Sequence, residues 1–149
     1  MGATDAWREN LVTTDDGIRD LCRATKTVAV LGMKTEEQSD QAAFYVPKYL
    51  IEAGVVVHPV LVYYPDVTEV LGRKVYRKVA DVPKPVDMVN VFRRPTDVLA
   101  HVDDILAAKP KFVWMQLGIS NDAAAERLAR AGIRVVQNRC LMVEHRRYR

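Results

Sequence analysis

The sequence predicts an α/β domain: one doubly wound parallel sheet, Rossmann-like, with helices on both faces. Three observations predict it. Apolar runs of strand length, such as Thr27-Val28-Ala29-Val30-Leu31-Gly32, read as strands buried on both faces. Segments of helical length separate these runs. Glycines stand at the junctions, with Gly32 and Gly118 after strands and Gly54 and Gly132 after helices. Right-handed crossovers leave few other arrangements for such alternation.

The elements follow in order. Residues 1–12 show no periodicity and read as a flexible arm before a domain of residues 13–149. Asp15 to Ala24 reads as a helix with Ile18, Leu21 and Cys22 on one face and Thr14 as its cap. After the first strand, a loop runs from Met33 to Gln38. Ser39 is then expected to cap a helix reaching about Ala53, with Asp40 placed well against its dipole. Pro47 inside that helix should bend it or weaken one turn. The next strand is Val55 to Val60, and Tyr63-Tyr64-Pro65-Asp66 reads as a turn. Arg73 to Tyr76 can form a short strand, and Asp87 to Phe92 is another. Pro95 suits the first turn of a helix reaching about Ala108. Lys111 to Gln116 is a strand, Ser120 opens a helix from Asn121 to Ala131, and Ile133 to Val136 is the last strand.

Composition narrows the function classes. The 149 residues suit one domain. A hydrophobic share of 49% and a charged share of 28% describe a globular rather than a disordered chain. The net charge of +3 is too small to argue for nucleic-acid binding. The opening MGATDAWREN has no apolar signal segment, and Ala6 breaks the myristoylation pattern. The longest apolar stretch, around Val55 to Tyr64, is far shorter than the ~20 residues of a membrane helix. Two cysteines make no disulfide framework, so a cytoplasmic, reduced protein is expected, without a membrane span.

In open parallel sheets, ligands bind at the carboxyl ends of the strands where the strand order reverses. In the commonest order that point lies between the first strand and the Met88–Phe92 strand. Gly32, Met33 and Lys34 follow the one, and Arg93 and Arg94 the other. With the amino end of the following helix, these residues would converge on a crevice suited to phosphate. The NAD fingerprint is absent: Gly32 lacks its partner glycines, and no acid follows the second strand at once, Asp66 standing too far along.

At these strings the chain resembles the small stand-alone CoA-binding domain proteins. Thr27 to Gly32, the helix with Tyr49-Leu50, Val70 to Tyr76, Val86 to Pro95, Trp114 to Gly118, and Asn138-Arg139-Cys140 with Glu144-His145 carry the resemblance. It covers about residues 20 to 145. The family is similar to the CoA-binding domain of the succinyl-CoA synthetase α subunit, whose phosphorylated histidine comes from a separate domain.

The resemblance implies coenzyme A or acyl-CoA as the small-molecule nucleotide ligand. It implies that Gly32, Met33, Lys34 and Ser39 line the phosphate loop and that Arg73 approaches the nucleotide phosphates. Phe92, Arg93 and Arg94 would border the switch point, Gln116 and Gly118 the pantetheine, and Asn138 and Arg139 the carboxyl edge. The family has Pro-Val-Asn-Pro after the second strand, near the nucleotide. Here Pro59 and Val60 are followed by Leu61-Val62-Tyr63-Tyr64-Pro65. Glu36-Glu37 also departs from the pattern, and two carboxylates turned inward would oppose an anion.

Cys140 reads as a small core residue before it reads as a reactive thiol. The three histidines are too scattered for a metal site, and Arg146, Arg147 and Arg149 read as a solvated tail. The sequence reading is a CoA or acyl-CoA binding module with no catalytic residues. A nucleotide-dependent enzyme (an oxidoreductase or an acyl-CoA ligase component), or an interaction protein with a degenerate crevice, is the alternative. A homodimer or another protein partner is left open.

Overall fold

The computed structural model describes the backbone of residues 2–149 and the side chains of residues 5–149. Its strands are β1 (Thr27–Leu31), β2 (Val56–Val60), β3 (Glu69–Val70), β4 (Arg73–Lys74), β5 (Met88–Val91), β6 (Phe112–Met115) and β7 (Arg134–Val136). Its helices are α1 (Asp15–Ala24), α2 (Ala42–Glu52), α3 (Val102–Ala108), α4 (Asp122–Arg130) and α5 (Leu141–Tyr148). Five strands pair in parallel in the order β2-β1-β5-β6-β7, and β3 and β4 form a separate antiparallel hairpin. The order therefore reverses between β1 and β5, as the sequence predicts.

The period-2 alternation of strand side chains divides the core into two layers. Val28, Val30, Met88 and Trp114 face α1, α2 and α5 through Ile18, Leu21, Phe44, Leu50 and Leu141. Ala29, Leu31, Val89, Val91 and Met115 face α3 and α4 through Ile105, Ala124 and Leu128. Because both faces are covered, the central strands read as continuous apolar runs. Among the described residues no helix is long and apolar enough to cross a membrane.

The sheet's edges are managed differently. At β2, Pro59 has no N–H to offer, and its carbonyl accepts from Tyr76 N at 2.9 Å while Leu61 N donates to Tyr76 O at 3.0 Å. A proline is at home on such an edge strand. At β7, Val12 N donates to Val135 O at 2.8 Å. The aperiodic amino-terminal segment is docked here as a 3-10 helix, Gly2–Asn10. Asn10 Nδ2 donates to Ala129 O at 2.9 Å, and the Arg130 guanidinium lies 5.0 Å from the Trp7 ring centre. Met1 lies outside the described residues.

Several boundaries differ from expectation. Asn121, not Ser120, caps α4, because its Oδ1 reaches Ala124 N at 2.9 Å. The stretch after Pro95 is a 3-10 helix through His101 before α3 begins. Arg146, Arg147 and Arg149 are exposed, as expected, but the first two stand on a helix, α5, whose inner face buries Glu144 and His145.

Asp87, at the amino end of β5, ties the first strand down. The residue is 7% exposed, and its carboxylate accepts from Lys26 N at 2.8 Å and Thr27 N at 3.1 Å, with Lys111 Nζ at 3.6 Å. Burial raises the pKa, but the two amides, Lys111 and the Thr27 side chain outweigh it, so the group sits below the usual carboxylate range. A folded pKa below the unfolded one contributes stability in full above about pH 4, and that stability is lost as pH falls through the folded value. Asp87→Asn is expected to cost about 1–2 kcal/mol at neutral pH. Urea unfolding should show the gap to wild type narrowing as pH falls below about 4. A gap independent of pH would contradict the assignment.

Candidate functional site

The switch point is built around Gly32. Its φ is +87°, and a Cβ there would lie 2.3 Å from the carbonyl oxygen of Phe92. Gly32 N donates to Val60 O at 2.9 Å and Phe92 N to Leu31 O at 2.8 Å, so the ends of β2, β1 and β5 are laced together. Only glycine permits this approach of two backbones. The chain then parts, residues 33–41 turning one way and Arg93-Arg94 the other.

The first wall begins with a local cap. Thr35 and Gln38 form a reciprocal capping box around a 3-10 turn, Glu36–Gln38. This turn absorbs the residues expected to open the helix. Ser39 is therefore not the cap of α2 but the exposed end of the earlier turn, and α2 starts at Ala42 with Gln41 as its N-cap. Gln41 makes no side-chain cap bond; its Oε1 accepts from Lys34 Nζ instead. Phe44 N is taken by Gln41 O at 2.9 Å, which leaves the Ala42 and Ala43 amides at the start of α2 without a side-chain acceptor, the condition that favours an anion.

Pro47 takes part in the same wall. Lacking an N–H, it cannot bond the Ala43 carbonyl four residues back. That carbonyl accepts from Lys34 N at 3.1 Å, which anchors the loop after β1 to α2.

The second wall is cationic. Arg93, with its side chain 12% exposed, donates from Nε to His101 Nε2 at 3.2 Å and lies 3.5 Å from Asp97. His101 Nε2 must be unprotonated to accept. Burial, and then the Arg93 charge, hold the His101 pKa below its ordinary value. Arg94 is exposed and pairs with Asp97 at 2.8 Å; the hydrogen bond to Arg94 leads in holding that carboxyl below its usual range.

Between the walls lies a cleft of about 340 Å³, bounded by Lys34 and residues 41–43 on one side and by residues 92–95 on the other, with Ile119 beside them. It brings together Lys34, Phe92, Arg93 and Arg94 of the residues expected from sequence. The rest stand elsewhere. Met33, Pro59, Val60 and Gln116 are buried, and Gln116 Oε1 accepts from Leu141 N at 3.2 Å. Gly118 N donates to Asn138 Oδ1 at 2.7 Å, at the carboxyl end of the sheet. Arg139 turns away, toward Thr13 O at 3.3 Å and Glu144 at 3.8 Å. Arg73 bonds Leu71 O and borders a hollow at the start of β2. The two acids of the first loop do not line the cleft: Glu36 accepts from Leu71 N at 3.0 Å, and Glu37 is exposed.

Sequence reasoning missed Tyr63. It stands three residues beyond β2, 55% exposed, with the Arg93 guanidinium 5.3 Å from its ring centre. Arg93 beside it holds the phenol below its ordinary pKa. It also missed His101 and Asp97, which orient Arg93.

Two larger hollows, of about 460 and 450 Å³, lie around the amino end of β2. The second collects Arg23, Lys26 and Arg149 where α1, α2 and α5 end. Arg23 Nε donates to Tyr148 O at 2.8 Å, the usual role of a cation at helix carboxyl termini. Neither hollow adjoins the strand reversal. Burial, with Glu144 nearby, pushes the Cys22 thiol up to about 12, and Tyr49 Oη and His145 Nδ1 share a hydrogen bond of 2.9 Å. Among the described residues no group of three His, Cys, Asp or Glu side chains could hold a metal.

Comparisons with known proteins agree with this architecture. The sequence is 29% identical over 128 residues to the uncharacterized protein YneT of Bacillus subtilis strain 168, covering 86% of this chain and 91% of that one. The structure of cell-free ID.343 from Thermus thermophilus superposes with a TM-score of 0.82 at 38% identity, covering 92% of this chain and 100% of that chain. The dinucleotide-forming acetyl-coenzyme A synthetase 1 of Ca. Korarchaeum cryptofilum, in complex with phosphate and ADP, superposes with a TM-score of 0.64 at 25% identity, over 78% of this chain and 27% of that one. The model of the CoA binding domain family matches residues 26–146, nearly the whole span from β1 to α5. The chain belongs to the CoA binding domain family.

Proposed function

We propose that this protein binds coenzyme A, free or acylated, in the cleft at the β1/β5 switch point, and that it holds the ligand without transforming it. One observation carries the reading: Lys34, Arg93, Arg94 and the uncapped first turn of α2 converge on one cleft. Coenzyme A carries a pyrophosphate and a 3′-phosphate, and this donor set suits them. Arginine pairs with phosphate in a forked geometry, lysine as a point charge, and helix amides as directed donors.

Among the described residues no carboxylate lines the cleft to oppose those charges. Asp97 pairs with both arginines from outside it and keeps them extended until a phosphate competes. The cleft volume lies at the low end of the ~300–1,000 Å³ range of ligand sites. It suits the phosphates and their neighbours, with the ligand's ends reaching beyond it over the carboxyl edge of the sheet. Gly118 and Asn138 lie along that edge and are the positions we assign to the pantetheine arm.

Calorimetric titration with coenzyme A tests the reading. A saturable heat with one site per chain is expected. No heat and no thermal shift at millimolar ligand, with the protein folded, would overturn it. Turnover of an acyl-CoA or of NAD(P)H by the purified protein would favour the enzyme alternative.

A further inference from the structure

We infer that Tyr63 is the platform on which the purine base of the ligand stacks, and that Arg93 joins this base site to the phosphate cleft. The inference rests on the proposed CoA reading and assigns the nucleotide end of that ligand.

Tyr63 does no core work, since the residue is 55% exposed. A single exposed aromatic is ordinary; the way this one is held is not. The Arg77 guanidinium donates to four backbone carbonyls of the loop beyond β2. These are Tyr63 O at 3.0 Å, Tyr64 O at 3.0 Å, Pro65 O at 3.2 Å and Val67 O at 2.7 Å. Val67 N closes the loop on Tyr64 O at 3.0 Å. Arg77 thus braces the turn from its carbonyl side while Tyr64 and Val67 pack against the core, and Tyr63 is left outward. The product is an aromatic ring presented to solvent on a braced loop, with its ordering entropy already spent before a ligand arrives.

Arg93 supplies the direction. Its guanidinium lies 5.3 Å from the Tyr63 ring centre, and the same residue lines the cleft. His101 holds it there through Nε, leaving the terminal nitrogens toward Asp97 and the open side. A base on Tyr63 would therefore have its first phosphates within the field of Arg93. Every base offers a π-face, so stacking fixes where the base sits, and the cations fix the polarity of the ligand along the groove. The geometry fits a ligand with a purine at one end and adjoining phosphates. It gives no advantage to a phosphorylated ligand that lacks the base.

The test compares wild type, Tyr63→Ala and Tyr63→Phe by calorimetry against three probes: coenzyme A, adenosine 3′,5′-bisphosphate and 4′-phosphopantetheine. Tyr63→Ala is expected to weaken coenzyme A and the bisphosphate by about tenfold or more, the measure of one base–aromatic stack. It should change phosphopantetheine by less than about twofold, and Tyr63→Phe should restore the two nucleotide probes. Tyr63 is exposed, so equal thermal melting of the three proteins is expected and checks the fold. Unchanged affinity of Tyr63→Ala for coenzyme A would overturn the platform while leaving the cleft assignment standing. Equal loss for all three probes would also overturn it. Absence of coenzyme A binding by wild type would instead overturn the CoA reading, and the platform with it.

Discussion

Replacing Gly32 by alanine is expected to lower the unfolding free energy by about 3–5 kcal/mol and to abolish ligand binding. Two costs combine. The backbone at Gly32 has φ +87°, which a side chain tolerates poorly. A Cβ would also meet the Phe92 carbonyl oxygen at 2.3 Å, and that atom belongs to backbone fixed by the bond of the Phe92 amide to Leu31 O, so it cannot swing aside. Relief requires β1 and β5 to separate at the one place where the cleft is anchored.

Gly54→Ala isolates the first cost. Gly54 has φ +90°, and nothing lies within 4 Å of the place a Cβ would take. It should lose only about 1–2 kcal/mol, from conformation alone. Guanidinium unfolding of the two variants separates the terms. Equal losses would show that the contact with Phe92 carries no weight.

Arg93→Gln is expected to weaken coenzyme A binding by about 10- to 100-fold, as loss of a charge-assisted bond to phosphate predicts. Glutamine keeps a polar, extended side chain over Gly32, so the fold should hold with a loss of about 1 kcal/mol or less. The remaining binding should also depend less on salt, because one cation no longer contributes to the attraction. Titrations at low and high ionic strength measure both effects. An unchanged affinity, or an unchanged salt dependence, would remove Arg93 from the site.

The parts of the fold that are legible in the sequence are those set by burial. Val28 to Leu31, Met88 to Val91 and Phe112 to Met115 are buried throughout, so their runs, apolar but for Asn90, predict central parallel strands and, with them, the switch point. The start of α2 is misleading because Ser39 and Asp40 look like a cap, although Thr35-x-x-Gln38 carries a capping signature beginning four residues before Ser39. Helix α5 has no side-chain cap, and its buried face includes Glu144 and His145, polar residues that a hydrophobic pattern discards. His145 is buried against Tyr49, a contact between distant segments.

The candidate site is legible where it follows backbone topology and illegible where it depends on side-chain partners. Gly32, Lys34, Arg93 and Arg94 follow directly from strand ends. Arg139 is drawn off by Glu144 and Thr13, and Arg73 by Leu71 O. Tyr63 gains its position through Arg77 and Arg93, neither adjacent in sequence. Gly118 and Asn138 meet because Asn138 adopts φ 58° and offers Oδ1 to the Gly118 amide, a local geometry without a sequence period.

The central claim is that the switch-point cleft is where coenzyme A binds, and amide chemical-shift mapping of the isotope-labelled protein tests it most directly. On titration with coenzyme A, the account predicts saturable shifts concentrated at Gly32 to Phe44 and Phe92 to Arg94, with a second group at Val62 to Tyr64. Shifts centred on Gly54 to Val57, around the amino end of β2, or no shifts at millimolar ligand, would contradict it.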